Sequence, residues 1–282
     1  MQLIDLVHFA VKMAGIRTMT CPVHGCGRWL TVKHIADRGV GIWMCGCWYC
    51  CSDCFRTAAE KRFSELLSTG VIRADHVTRM PLGLLLIRRG LVSSKHLQKA
   101  AIEHKETGAD VGELLVRYGS LSEKQLTSVR AAQWGCPIFA VPKGPVTSQI
   151  KIPQALVDSH CMIPLHYVAA TNQLLMGFVQ GIEYGPLYAI EQITGCKTQP
   201  CFVTPEDFRL QMEQRAQVSS EDPMLNELVF SNIKRPAELA RILADYGLHF
   251  KANEAKIDIC REHLWARLKN GTRAVDLLFR IA

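Results

Sequence analysis

The sequence has 282 residues and 48% hydrophobic content, enough to bury a full core and expected to divide into two or three domains. Its net charge of +7 is spread along the chain without a basic block, which argues against nucleic acid as the main partner. No run reaches the roughly 18 apolar residues of a membrane span, and residues 1–14 lack the basic start and small-residue cleavage site of a signal peptide, so a cytoplasmic protein is expected.

In chain order, residues 1–20 are expected to form an amphipathic helix with Leu3, Leu6, Val7, Ala10 and Val11 on one face. Residues 21–70 read as a zinc-binding module. Of twelve cysteines, Cys21, Cys26, Cys45, Cys47, Cys50, Cys51 and Cys54 crowd into this stretch, and in a reducing compartment such crowding points to metal before disulfides. Cys21-Pro-Val-His-Gly-Cys26-Gly27 has the form of a zinc knuckle, residues 40–44 and 47–49 that of a hairpin turning at Gly46, and residues 55–67 that of a helix. Knuckle, hairpin and a helix bearing ligands in its first turn make a treble-clef-like arrangement. A helix N-terminus also favours the negative charge of a thiolate site. The Trp48-Tyr49-Cys50-x3-Cys54-Phe55 stretch is similar to the second half of small TRASH- or MYM-like zinc modules. That favours Cys21, Cys26, Cys50 and Cys54 as ligands of a structural Zn2+. Cys51 paired with Cys54, His24 in place of Cys26, and Cys45 or Cys47 remain as alternates.

Residues 79–134 hold an internal repeat. Leu82 to His104 returns as Val111 to Gln133 without a gap, with identities at Gly83/Gly112, Leu85/Leu114, Leu86/Leu115, Arg88/Arg117, Gly90/Gly119, Ser93/Ser122, Lys95/Lys124 and Leu97/Leu126. Each copy reads as a short helix, a glycine stop, a serine N-cap and a longer helix; Ser122 and Gln125 have capping-box spacing. The pattern resembles the MshEN-type domain found at the N-terminus of GspE- and PilB-like secretion and pilus ATPases. Its hallmark is two R-L-G-x-x-(apolar)2-x-x-G motifs, each closing on a glutamine and separated by five residues, here residues 105–109. The resemblance continues to about residue 216 through Trp134-Gly135-Cys136-Pro137-Ile138, Ile152-Pro153, Met162-Ile163-Pro164-Leu165 and Ile193-Thr194-Gly195.

Some members of that family bind cyclic di-GMP, and the resemblance implies a ligand site at Leu82, Gly83, Leu86, Ile87, Gly90, His104, Gly112, Leu115, Val116, Gly119 and Gln133. The sequence departs from the pattern at four places. Pro81 and Asp110 replace the opening arginines, His104 replaces a closing glutamine, and Arg130 occupies an apolar position. Proline cannot offer a guanidinium's donor fork to a guanine edge or a phosphate, and aspartate opposes an anion.

Residues 135–216 are expected to be α+β, with helices packed on one face of a small sheet. Residues 163–168 and 174–179 form a hairpin, 186–194 a helix stopped by Gly195, 197–203 a strand, and Thr204-Pro205 opens a further helix. Residues 217–223 read as a polar linker. In residues 224–282 the pattern gives a helix over 236–246, a strand over 257–260, and a hairpin of 264–269 with 275–281 around Asn270-Gly271. Trp265, Arg267, Asp276 and Arg280 read as an exposed polar, aromatic-bearing sheet face.

The sequence has no G-x4-G-K-[ST] phosphate loop and no catalytic constellation, so an enzyme is not expected. The leading expectation is a regulatory or adaptor protein whose partner is a secretion or pilus ATPase or another component of the envelope machinery. A cyclic di-GMP receptor with a diverged motif is the alternative. A weaker one is nucleic-acid binding by the zinc module through Arg28, Lys33, Arg38, Arg56, Lys61 and Arg62.

Overall fold

The computed structural model describes residues 17–69, 79–141, 150–221, 226–231, 233 and 235–281. The chain is α+β and divides into two compact units, one of Met1–Ile72 with Pro223–Ala282 and one of Arg73–Asp222. The helix expected over residues 1–20 falls mostly outside the described residues, and Thr18–Thr20 are strand.

The first unit begins with an antiparallel pair, β1 (Thr18–Thr20) and β2 (Trp29–Thr31), in which Thr20 faces Trp29. A short helix missing from the sequence reading, α1 (Val32–Arg38), follows. Thr31 caps it by accepting from the His34 N–H, and Gly39, at φ 58°, ends it. The expected hairpin is β3 (Ile42–Met44) and β4 (Cys47–Tyr49), turning through Cys45 and Gly46 with φ of 51° and 76°. Positive φ at both central residues marks the turn class that matches strand twist. Helix α2 (Ser52–Thr69) buries Phe55, Ala59, Phe63 and Leu66, spaced to form one stripe.

The second unit opens with the repeat as four helices, α3 (Leu82–Arg88), α4 (Ser94–Thr107), α5 (Val111–Arg117) and α6 (Glu123–Trp134). Leu86, Val92, Ala100, Leu114, Leu115, Leu121, Leu126 and Val129 form its core. Next come α7 (Gln154–Ser159), β5 (Met162–Val168), β6 (Gln173–Phe178), α8 (Tyr184–Thr194), β7 (Lys197–Phe202) and α9 (Pro205–Glu221). The sheet order is β5-β6-β7, antiparallel then parallel. Both faces of this sheet are buried, which corrects the expectation of helices on one side only. Ile163, Leu165, Cys201 and Val203 pack with Phe208 and Met212 of α9, while Leu174, Met176 and Phe178 alternate to the opposite face and are equally buried. Helix α9 runs through Glu221, so most of the stretch read as linker is helical backbone.

The chain then returns to the first unit with β8 (Asn226–Phe230), α10 (Pro236–Phe250), β9 (Glu254–Cys260), β10 (His263–Asn270) and β11 (Arg273–Arg280). Among the described residues the strands form one sheet in the order β4-β3-β9-β10-β11-β8. The zinc module and residues 224–282, read from sequence as separate regions, therefore share a sheet, joined by the parallel pairs Trp43–Glu254 and Met44–Ala255. Helices α2 and α10 cover one face over Leu264, Ala266, Leu268, Val275, Leu277 and Phe279. Phe63 meets Phe279 edge-on at 5.9 Å, and Phe230 stacks on Phe279 at 5.2 Å.

The other face is not the exposed polar surface expected. Of the four residues read as that surface, Trp265, Arg267 and Asp276 are buried and Arg280 is exposed. Asp276 accepts from Trp265 Nε1 at 2.7 Å and from Arg267 Nε and a terminal guanidinium nitrogen, each at 2.8 Å. A carboxylate engaged this way can sit in a core because its charge and lone pairs are met.

Candidate metal centre and the tandem repeat

Two separate pieces of chain deliver the clustered cysteines. Between β1 and β2 the Cys21 N–H donates to Arg28 O at 2.9 Å and the Cys26 N–H to Val23 O at 3.1 Å. Gly25 and Gly27 hold left-handed backbone at φ 80° and 59°, which folds the turn back on itself. The other pair comes from the start of α2, with Cys50 just before the helix and Cys54 in its first turn. The sulfurs of Cys21, Cys26, Cys50 and Cys54 all lie within 4.8 Å of one another. Cys26 and Cys50 are 3.4 Å apart and Cys50 and Cys54 3.7 Å. A tetrahedral zinc with Zn–S bonds of about 2.3 Å separates its sulfurs by about 3.8 Å, whereas a disulfide requires about 2 Å. The donor set and its spacing fit a closed thiolate site for a metal ion. Of the alternates, His24 is exposed, Cys45 is exposed at the hairpin tip, and Cys47 and Cys51 are half-buried; none belongs to the four-sulfur cluster.

Electrostatics sharpen the point. The Arg28 backbone, with the Cys50 thiol second, holds the Cys26 thiol down at about 7. Burial pushes Cys50 up to about 12 and raises Cys54 as well. Left to itself the cluster favours a thiolate at Cys26 and keeps Cys50 and Cys54 protonated. Four thiolates together need a cation among them.

In the repeat, each glycine shared by the two copies has its own physical reason. A Cβ on Gly83 would lie 2.9 Å from a Leu97 methyl, and one on Gly112 would lie 2.6 Å from the equivalent methyl of Leu126. The first glycine of each copy therefore lets the second helix press against the first. Gly90 and Gly119, at φ 67° and 70°, end the first helices in matching Schellman motifs, with Leu91 N–H to Leu86 O and Ser120 N–H to Leu115 O, both 3.0 Å. Ser93 and Ser122 cap the second helices, the latter through a complete capping box with Gln125.

The residues implied as a ligand site separate on inspection. Leu86 and Leu115 are fully buried core, and Gly112 is buried with them. Leu82 and Val116 are half-buried beside that core, and Ile87 is exposed. His104 Nδ1 lies 2.7 Å from Ala109 O, and Gln133 donates to Met80 O at 2.7 Å. Two of the departures prove to be one feature. Arg130, only 3% exposed, donates to Asp110 at 2.5 Å and to Val179 O at 2.9 Å. Asp110 also caps α5 by accepting from the Glu113 N–H. The sequence signal was available: an acid in place of a base, and a base in an apolar position, within one copy.

No family model matches the chain. It is 31% identical over 87 residues to the type IV pilus assembly ATPase PilB of Myxococcus xanthus, covering 30% of this chain and 15% of that protein. It is 25% identical over 129 residues to PilB of Thermus thermophilus, covering 45% of this chain and 14% of that one. The matched part thus spans only 14–15% of the length of these relatives. Among solved structures, one described as MshE with cdg superposes with TM-score 0.42 at 20% identity, over 48% of this chain and 99% of that one. The N-terminal domain of XpsE superposes with TM-score 0.38 at 16% identity, over 47% and 92%. Structural likeness at these scores carries no weight by itself. No helix among the described residues is long and apolar enough to cross a membrane.

Proposed function

We propose that this chain is a non-enzymatic adaptor: a GspE N-terminal-type (MshEN-like) domain that docks on type II secretion or type IV pilus machinery, carried with a zinc-stapled unit. The observation that carries the reading is the tandem repeat, whose glycines, caps and leucines recur at equivalent positions in three dimensions, together with local sequence identity to two pilus assembly ATPases. Zn2+ held by Cys21, Cys26, Cys50 and Cys54 has no open coordination position and serves structure. Isolation of the tagged chain from its native cells under mild conditions is expected to return secretion or pilus components. Return of none overturns the reading.

The rival is a cyclic di-GMP receptor, the ligand class suggested by the MshE structure. Against it stands the Asp110–Arg130 pair, which places a carboxylate at the motif's opening position and locks the nearby guanidinium against protein groups. Calorimetric titration of the chain with cyclic di-GMP is expected to give no heat at micromolar protein. The paired change Asp110→Arg with Arg130→Leu restores the family residues at both positions. Binding gained by that double variant identifies the ion pair as what disabled the site.

A further inference from the structure

The duplication supplies an internal control for reading the surface of the second unit. Within the repeat, the large apolar side chains left in solvent belong to the first copy: Met80 is 44% exposed, Leu84 57%, Ile87 38% and Ile102 60%. The second copy fills the equivalent positions differently. At the position of Leu84 it carries Glu113, hydrogen-bonded to Gln180, and at the positions of Ile87 and Ile102 it carries half-buried Val116 and buried Ala131. Leu84 and Ile87 stand at i and i+3 on α3, Arg88 shares that face at i+4 from Leu84, and Met80 lies just before the helix, ahead of its Pro81 N-cap.

Along the chain, charge of a single sign accompanies these side chains as far as Glu103, which pairs with Arg117 at 3.2 Å. From Arg79 to Ile102 the sequence carries Arg79, Arg88, Arg89, Lys95 and Lys99 and neither Asp nor Glu. Arg88, Arg89 and Lys95 are exposed, and Arg79 lies 3.6 Å over the Trp134 ring. In the second copy, Asp110, Glu113 and Glu123 interrupt the equivalent stretch. Protruding aliphatic side chains next to exposed Arg88, Arg89 and Lys95 call for an occupant that is apolar inside and anionic at its edge. The outer face of one short helix is a ridge and offers no pocket for the buried anchor on which a specific protein interface usually depends. A bilayer surface needs no pocket, because aliphatic tips enter the headgroup boundary while the basic side chains meet lipid phosphates.

We propose that the α3 face of the first repeat, Leu84 and Ile87 with Arg88 and Arg89, together with Met80 just before it, seats the protein on an anionic lipid surface. This contact is independent of the adaptor reading and of the metal centre. It acts peripherally, through a few side chains and a basic rim.

Co-flotation of the full chain with vesicles decides it. The wild type is expected to float with phosphatidylcholine vesicles containing phosphatidylglycerol, to stay behind with phosphatidylcholine alone, and to be released by raised salt. Leu84→Glu copies the second repeat's own residue at the paired position, so the fold is retained, as a far-ultraviolet dichroism spectrum checks. It is expected to lower the floated fraction at least several-fold, as is Arg88→Glu with Arg89→Glu. Failure of the wild type to float with anionic vesicles, or flotation unchanged in the folded Leu84→Glu variant, overturns the proposal. If Leu84→Glu instead strips a protein from the native-cell isolate while vesicle binding is untouched, the ridge is a protein interface and the lipid assignment is wrong.

Discussion

The two units solve the problem of making a core in different ways. The second is contiguous in sequence, and its repeat folds through contacts between neighbours: a serine cap, a glycine end, and a leucine pressed onto the glycine of the preceding helix. The first is assembled from distant stretches of chain, with β3 paired to β9 and α2 packed with α10 over a single sheet. Local repetition can be self-sufficient. A sheet assembled from distant segments benefits from a cross-link at its N-terminal edge, and the four cysteines are placed to accept one.

If that contrast holds, removing metal should act on one unit alone. Zinc binding to small thiolate sites is worth roughly 10 kcal/mol or more. Chelation, or Cys54→Ser, is therefore expected to abolish exchange protection in α2 and the β3–β4 hairpin while α4 and α6 keep theirs, as read by hydrogen exchange. Equal loss in both units would erase the distinction. The next largest effect lies in the sheet itself. Asp276→Asn removes the carboxylate charge that buried Arg267 and Trp265 both engage and should cost about 3–5 kcal/mol in urea unfolding. A loss below about 1 kcal/mol would mean that water reaches the pair.

Within the second unit the expected effects are smaller and graded by the available space. Gly83→Ala and Gly112→Ala each force a leucine methyl aside and should cost about 1–3 kcal/mol. Gly112→Ala should cost more, since its Cβ would approach to 2.6 Å rather than 2.9 Å. The reverse order in thermal melts would show that Leu126 yields more easily than Leu97. The smallest effect is a matter of rate. In metal-free protein, alkylation is expected to reach Cys26 before Cys50 and Cys54, because its thiolate forms above about 7 while burial holds the other two protonated. Peptide mapping that finds Cys54 modified first would overturn the electrostatic picture of the cluster.

Legibility from sequence follows the same division. The repeat, its caps and the β5–β6 hairpin were readable because their signals lie within a few residues of the contacts they make. The cysteine cluster was readable as chemistry, since the crowding of cysteines pointed to a metal; the resemblance to small zinc modules favoured Cys21, Cys26, Cys50 and Cys54, whose sulfurs lie together. Helix α1 escaped because only Ile35 is buried, leaving no apolar period; Thr31 and Gly39 were its sole local marks. Strand β8 escaped because its partner is the parallel β11, far along the chain. Arg267 and Asp276 looked like surface because charge is ordinarily exposed, and nothing local announces that both faces of a sheet will be covered. Asp110 and Arg130 were each read correctly as departures, but their mutual neutralisation depends on a fold that brings positions 20 apart into contact.

The pairing of Met44 with Ala255 also sets a timetable. On a ribosome adding about 5–20 residues each second, β3 and its cysteine-bearing neighbours emerge roughly ten seconds or more before β9 exists to pair with them. The intervening unit, contiguous and locally specified, can finish folding during that wait. The early segment meanwhile holds a sheet edge without its neighbour and a set of reactive thiols. An ion captured then would hold the hairpin and helix start in register until the last strands arrive.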